Sequence, residues 1–137
     1  MVHDPKLVAD TRAWLVKAIN DLRAAVTDLA ASPPLLEDVL FHCQQAAEKA
    51  MKALLTWQDR PFRKTHDLVE IGEECLEVDS TLEPLLRRAA PLTEYAWKYR
   101  YPGEMEEASR GEAEESLALA RQVYDAVLAR LPVEVQP

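Results

Sequence analysis

An all-α fold, an antiparallel up-and-down four-helix bundle with one additional short helix, is predicted by three features of the sequence. Apolar residues recur at three- and four-residue steps in four long segments. No stretch alternates with the two-residue period of a strand. Pro, Gly and Ser clusters break the chain between the segments. Long helices joined by short connections become antiparallel neighbours. The 137 residues are expected to form a single domain, 1–137, with its core at about 8–131.

Each element has its own warrant. In the first segment Leu7, Thr11, Trp14, Ala18, Leu22, Ala25 and Leu29 make one stripe. Across ASPPLL, Ser32 is expected to cap the second helix and Pro33 to occupy its first turn. That helix carries Leu36, Leu40, Cys43, Ala47, Ala50, Leu54 and Trp57 in alternating steps of four and three. This is a heptad-like seam, and its alanines allow close helix approach. Pro61 is expected to end it. A short helix opens near Thr65 and docks through Leu68, Ile71 and Cys75.

STLE, Ser80 to Glu83, reads as a capping box. It starts a third long helix through Leu82, Leu85, Leu86, Ala89, Leu92, Ala96 and Tyr99. Pro91 should kink that helix, because its ring clashes with the carbonyl of Arg87. YPGE closes the segment. SRGE, Ser109 to Glu112, is a second capping box, and Ala113, Leu117, Ala120, Tyr124, Val127 and Leu131 line the last helix. The positions expected inward are Leu36, Leu40, Cys43, Ala47, Leu54, Leu117, Ala120 and Tyr124. Met51, Leu55, Val123 and Leu128 are apolar positions beyond what one small bundle needs to hide, so a homodimer is expected.

Composition removes several function classes. Gly72, Gly103 and Gly111 are the only glycines, too few for a Gly-rich phosphate loop. Cys43 and Cys75 fall on apolar stripes without a CxxC pattern, as buried thiols of a reducing cytosol do. No run of roughly 18 apolar residues or N-terminal signal core is present, so no membrane association and a cytoplasmic location are expected. The residues three before His42 and His66 are Val39 and Arg63, so the Glu-x-x-His pairs of a di-metal bundle are missing. HExxH and a nucleophile elbow are also missing. Neither a metal nor a cofactor is expected. His42 reads as a helix-surface or interhelical hydrogen-bonding residue, on a polar edge with Gln44 and Gln45 that also suits a partner contact. The helical spacing of Trp14, Trp57 and Trp97 favours core packing over a base-stacking platform.

The net charge of −8 argues against a general nucleic-acid coat protein. Its distribution is uneven: residues 104–137 hold eight acidic and three basic groups. Cations gather instead in RPFRKTHDL, with Arg60, Arg63, Lys64 and His66, and in YAWKYRYPGE, with Lys98, Arg100 and Tyr101. Local basic corners on an acidic protein suit a compact phosphate ligand better than a long duplex. A helix opening at Thr65 would aim free N–H groups outward there, and the same residues also read as solvated loop charges. Alternating aromatics and cations in the second block are able to grip a nucleotide or to snorkel over a bundle end.

FHCQQAAEKAMKALL, then KTHDLVEI, then YAWKYRYPGE, ahead of an alanine-spaced last helix, resembles the HEPN domain (higher eukaryotes and prokaryotes nucleotide-binding). The resemblance spans about residues 8 to 131. It implies a four-helix bundle with an extra short helix, usually a homodimer. It also implies a minimal nucleotidyltransferase as partner, often in a toxin–antitoxin module. Ribonuclease members act without metal through a late Arg-x4–6-His motif. Arg100 lies in that region, but Met105, Glu106 and Glu107 hold the positions where histidine should follow. The spacing occurs instead at Arg60 to His66, after the second helix.

Three functions follow as expectations. One is nucleotide or RNA-phosphate binding, with Lys64, His66 and Arg100 converging because the second and third long helices end on the same side. Another is a metal-independent ribonuclease with His66 as acid/base and Arg60, Arg63 or Arg100 stabilising the phosphorane. The third is a non-catalytic module that dimerises through its helices.

Overall fold

A carboxylate and a proline start the chain's first helix. Asp4 accepts from the Lys6 N–H, and Pro5 stands at the first helical position, where its missing N–H costs nothing. The computed structural model describes residues 3–103 and 106–137. They form α1 (Pro5–Ala30), α2 (Leu36–Trp57), α3 (Leu68–Val78), α4 (Glu83–Ala89) and α5 (Arg110–Leu128). Short 3-10 turns cover Ser80–Leu82, Ala90–Ala96 and Val133–Val135. The described residues include no strand, and none of their helices is long and apolar enough to cross a membrane.

Named contacts fix the directions. His42 of α2 meets Asp21 and Asp28 of α1, while His3 packs edge-on against Trp57, so α1 and α2 are antiparallel. Leu36 and Ala108 line one shallow pocket at the opposite end from Trp57. Arg130, just past α5, bonds Asp79, and Glu134 reaches His3; α5 therefore runs alongside α2 in the same sense. The 80–96 column descends against α5, with Arg88 on Gln122 and Tyr95 on Glu112. α1 with α2 and the 80–96 column with α5 are thus antiparallel pairs, and α3 packs beside α2.

The core centres on α2. Leu40, Cys43, Ala47, Ala50 and Leu54 are buried as the seam demands, together with Ala120 and Tyr124 of α5. Leu36 and Leu117 are only half-buried, packed on the core's edge. Met51, Leu55 and Val123 are buried within the chain, and Leu128 packs against the core. Met51, Leu55 and Val123 are therefore used inside the chain, and Leu128 is half-buried at the core's edge. α2 is more thoroughly enclosed than a one-face seam requires.

Several boundaries differ from expectation for local reasons. α2 begins at Leu36 with Leu35 as N-cap and no side-chain cap, so Ser32 and Pro33 lie outside it. Its other end is closed before Pro61. The Asp59 N–H donates to the Thr56 carbonyl and the Arg60 N–H to the Leu55 carbonyl, with Asp59 left-handed at φ 54°. That is a Schellman ending with aspartate in the usual glycine position. The third long helix is not one kinked helix. α4 stops at Ala89, and Pro91 sits in a tighter 3-10 stretch that still buries Leu92 and Tyr95. STLE is no capping box: the Asp79 side chain accepts from the Thr81 N–H. SRGE is one, with both reciprocal bonds formed. Glu104 and Met105, the last residue of YPGE and one position of the late motif, lie outside the described residues.

Candidate functional site

After α2 the chain does not leave the bundle end but doubles back along the helix. The Arg60 N–H is held at Leu55, and six residues later the His66 carbonyl accepts from Gln44 Nε2 at 3.0 Å. This return places the His66 ring beside the middle of α2. There its Nδ1 lies 2.7 Å from Glu48 Oε1. Glu48 itself is buried, only 3% exposed. Its first oxygen also accepts from Gln44 at 3.0 Å, and its second from Lys52 Nζ at 3.0 Å.

Burial pushes the Glu48 carboxyl upward, but hydrogen bonds from Gln44, His66 and Lys52, with the Lys52 charge, outweigh it. Its pKa is held below the ordinary carboxylate range. A carboxylate only accepts, so His66 must present Nδ1–H to it, and the ring's Nε2 is turned away from Glu48. The imidazole is 61% exposed. Lys52 continues the network inward, its Nζ 5.3 Å from the Trp14 ring centre and 5.7 Å from that of Phe62.

Thr65 does not cap the short helix. Its hydroxyl accepts from the Asp67 N–H, and Asp67 is the cap, accepting from the Val69 N–H. The Leu68 N–H is taken by the Thr93 hydroxyl. A carboxylate thus already occupies the place where an anion would sit on the α3 dipole, which removes that helix end as a phosphate site.

The cations of the two sequence blocks separate into two groups. Arg60 bonds Glu74 at 3.0 Å and also Glu77. Arg63 grips Glu70 through Nε at 2.5 Å and a second nitrogen at 2.8 Å. Lys98 lies 3.6 Å from Glu94 and 3.3 Å from Glu106, whose hydrogen bond raises its pKa. Lys64, by contrast, is exposed with no ion pair among the described residues. Arg100 is exposed as well, its guanidinium 4.0 Å above the Phe41 ring centre. Tyr101 is also exposed.

Phe41, Gln45 and Glu48 share one face of α2 at helical spacing. Arg100 and His66 therefore flank the same face, about 10 Å apart along the axis by helical rise. The expected reason was wrong, since α2 ends at Trp57 while Arg100 packs near the start of α2. The returning loop, not parallel helix ends, brings His66 toward Arg100. No hydrogen bond joins Lys64, His66 and Arg100 to one another among the described residues.

A protein-family model described as the HEPN domain matches residues 11–131. The chain belongs to the HEPN domain family. Comparison with curated proteins and with solved structures finds no match. For this HEPN domain, sequence reasoning missed Glu48, the carboxylate that holds the histidine. Gln44, Glu48 and Lys52 stand one turn apart, but Gln45 and Lys49 beside them make that polar spacing read as a solvated flank.

The other polar cluster serves packing. His42 bonds Asp21 at 2.8 Å, and Lys49 bonds the second Asp21 oxygen at 2.6 Å, tying α1 to α2. Of the two roles expected of His42, helix surface or interhelical bond, the structure shows the interhelical one. Burial pushes both thiols, Cys43 and Cys75, up to about 12, which keeps them protonated and unreactive.

Proposed function

We propose that this HEPN domain binds a nucleotide or RNA phosphate on the α2 face between His66 and Arg100, with Lys64 at its edge. The frame is an antiparallel four-helix bundle of α1, α2, the 80–96 column and α5. The observation that carries the reading is the division among the cations. Arg60, Arg63 and Lys98 are matched by carboxylates, whereas Lys64 and Arg100 face solvent beside a histidine whose Nδ1 is fixed by Glu48. Charge-assisted hydrogen bonds to phosphate are worth about 1.5–3 kcal/mol each. Arg100→Ala is expected to weaken binding of a nucleoside triphosphate about tenfold or more. Arg60→Ala and Arg63→Ala should bind like the parent. Calorimetric titration checks both, and equal affinity in Arg100→Ala would sink the reading.

A ribonuclease reading is favoured by one observation, the Glu48–His66 pair. A carboxylate-oriented imidazole with its second nitrogen turned outward has the form of a general acid/base. RNA cleavage that persists in EDTA and disappears in His66→Ala would establish it. Family membership supports the homodimer and the nucleotidyltransferase partner; a monomer mass by light scattering at micromolar concentration would remove the first. Co-purification with a nucleotidyltransferase tests the second, and its failure on co-expression counts against the module.

A further inference from the structure

Trp97 and Tyr101 are 55% and 77% exposed, and they are the only exposed tryptophan, tyrosine or phenylalanine side chains among the described residues. Both lie in the turn after the 80–96 column, with Arg100 beside them in the chain. The turn is anchored from below. Tyr99 adopts a left-handed backbone at φ 66°, and its ring goes inward to stack on Tyr95, 6.4 Å away and nearly parallel. Tyr95 in turn donates to Glu112 at 2.6 Å. The N–H groups of Trp97 and Lys98 both donate to the Glu94 carbonyl, and the Arg100 N–H donates to the Trp97 carbonyl.

A left-handed tyrosine is uncommon, and it is held here by what surrounds it. Its effect is to bury the middle ring while the rings two residues before and after stay outside. Lys98 is drawn back onto Glu94 and Glu106, so Arg100 is the cation the turn presents. Arg100 is exposed, with its guanidinium carbon 4.0 Å from the Phe41 ring centre, and a guanidinium carries a fork of donors suited to a phosphate.

We propose that this turn is a base-stacking platform. Trp97 and Tyr101 each take an unstacked base of a single-stranded nucleic acid, and Arg100 holds the phosphate of the same strand. The inference rests on the phosphate-binding reading above and names its substrate class, a strand with splayed bases rather than a free mononucleotide. Stacking on an aromatic ring is tolerant of sequence because every base has a π-face. The cation beside the rings fits a polyanion, and that combination favours a nucleic-acid strand over an apolar protein surface.

Direct binding of two probes tests it: a short oligoadenylate RNA and an abasic strand of the same length. The parent is expected to bind the oligoadenylate about tenfold or more tightly than the abasic strand. The Trp97→Ala, Tyr101→Ala double variant should lose that advantage and bind both probes alike. The Trp97→Phe, Tyr101→Phe double variant, which keeps two stacking rings and guards against a folding artefact, should retain it. If the alanine variant still prefers the oligoadenylate like the parent while Arg100→Ala weakens both probes, the phosphate site stands and the platform is refuted. If the parent binds neither probe nor a nucleoside triphosphate, both readings fall. A parent dimer that becomes monomeric in the alanine variant would assign the rings to a protein interface and overturn the platform.

Discussion

Glu48 shows how one buried charge organises its surroundings. It stands between Ala47 and Lys49 in a run that reads as a seam with solvated flanks, and nothing in its spacing marks it as enclosed. It is enclosed because the loop returning from α2 lies over it, a long-range event that helical periodicity does not encode. His66 was legible as a candidate from its neighbours, whereas its holder was not. Breaking a buried pair by removing one partner is strongly destabilising, so Glu48→Gln is expected to cost roughly 3 kcal/mol or more. Because folding lowers the Glu48 pKa, its contribution is full above the unfolded carboxyl value, about 4.3. That contribution is lost as pH falls through the lower folded value. Urea unfolding of parent and variant should therefore differ widely at neutral pH and converge in acid. A gap that stays constant down to pH of about 2 would show that the charge is not the source.

Among the elements, helix existence was legible and helix ends were legible only in part. Apolar periodicity predicted α1, α2 and α5 because burial of a stripe dominates their energetics. Ends depend on single hydrogen bonds that neighbouring residues compete to make. At Ser109 the serine wins, whereas at Ser80 the preceding Asp79 takes the Thr81 N–H and also bonds Arg130. Those bonds, first from the Thr81 hydroxyl and then from Arg130, lower the Asp79 pKa to about 2. Ser109→Ala is accordingly expected to cost about 1 kcal/mol, and Ser80→Ala only a few tenths. Equal losses in chemical denaturation would restore the capping role of Ser80. The same competition explains α3, where Asp67 displaces Thr65. Proline acted differently from expectation at Pro91, where the chain tightened to 3-10 geometry and so needed no kinked α-helix.

At the scale of the molecule, the all-helical class was legible in the apolar periodicity, and the short connection between α1 and α2 left their antiparallel pairing few alternatives. The path between α2 and α3 was not legible, since ten residues without periodicity are free to run anywhere along a helix. That path decides the candidate site. It also makes the Lys52 amine a clock for the loop. Lys52 is 7% exposed, shut in by Trp14 from α1 and by Phe62 from the returning segment. Lys6, Lys17 and Lys64 stand in solvent. An acylating reagent followed by mass spectrometry should modify those three at once and Lys52 only as fast as Phe62 lifts. Phe62 and His66 belong to the same returning segment, so if that segment lifts as a unit the labelling rate of Lys52 also reports release of His66 from Glu48. A bound phosphate ligand that holds His66 in place should slow Lys52 acylation severalfold while leaving Lys6 unchanged. Acylation of Lys52 at the rate of Lys6 would show that the loop is no barrier at all.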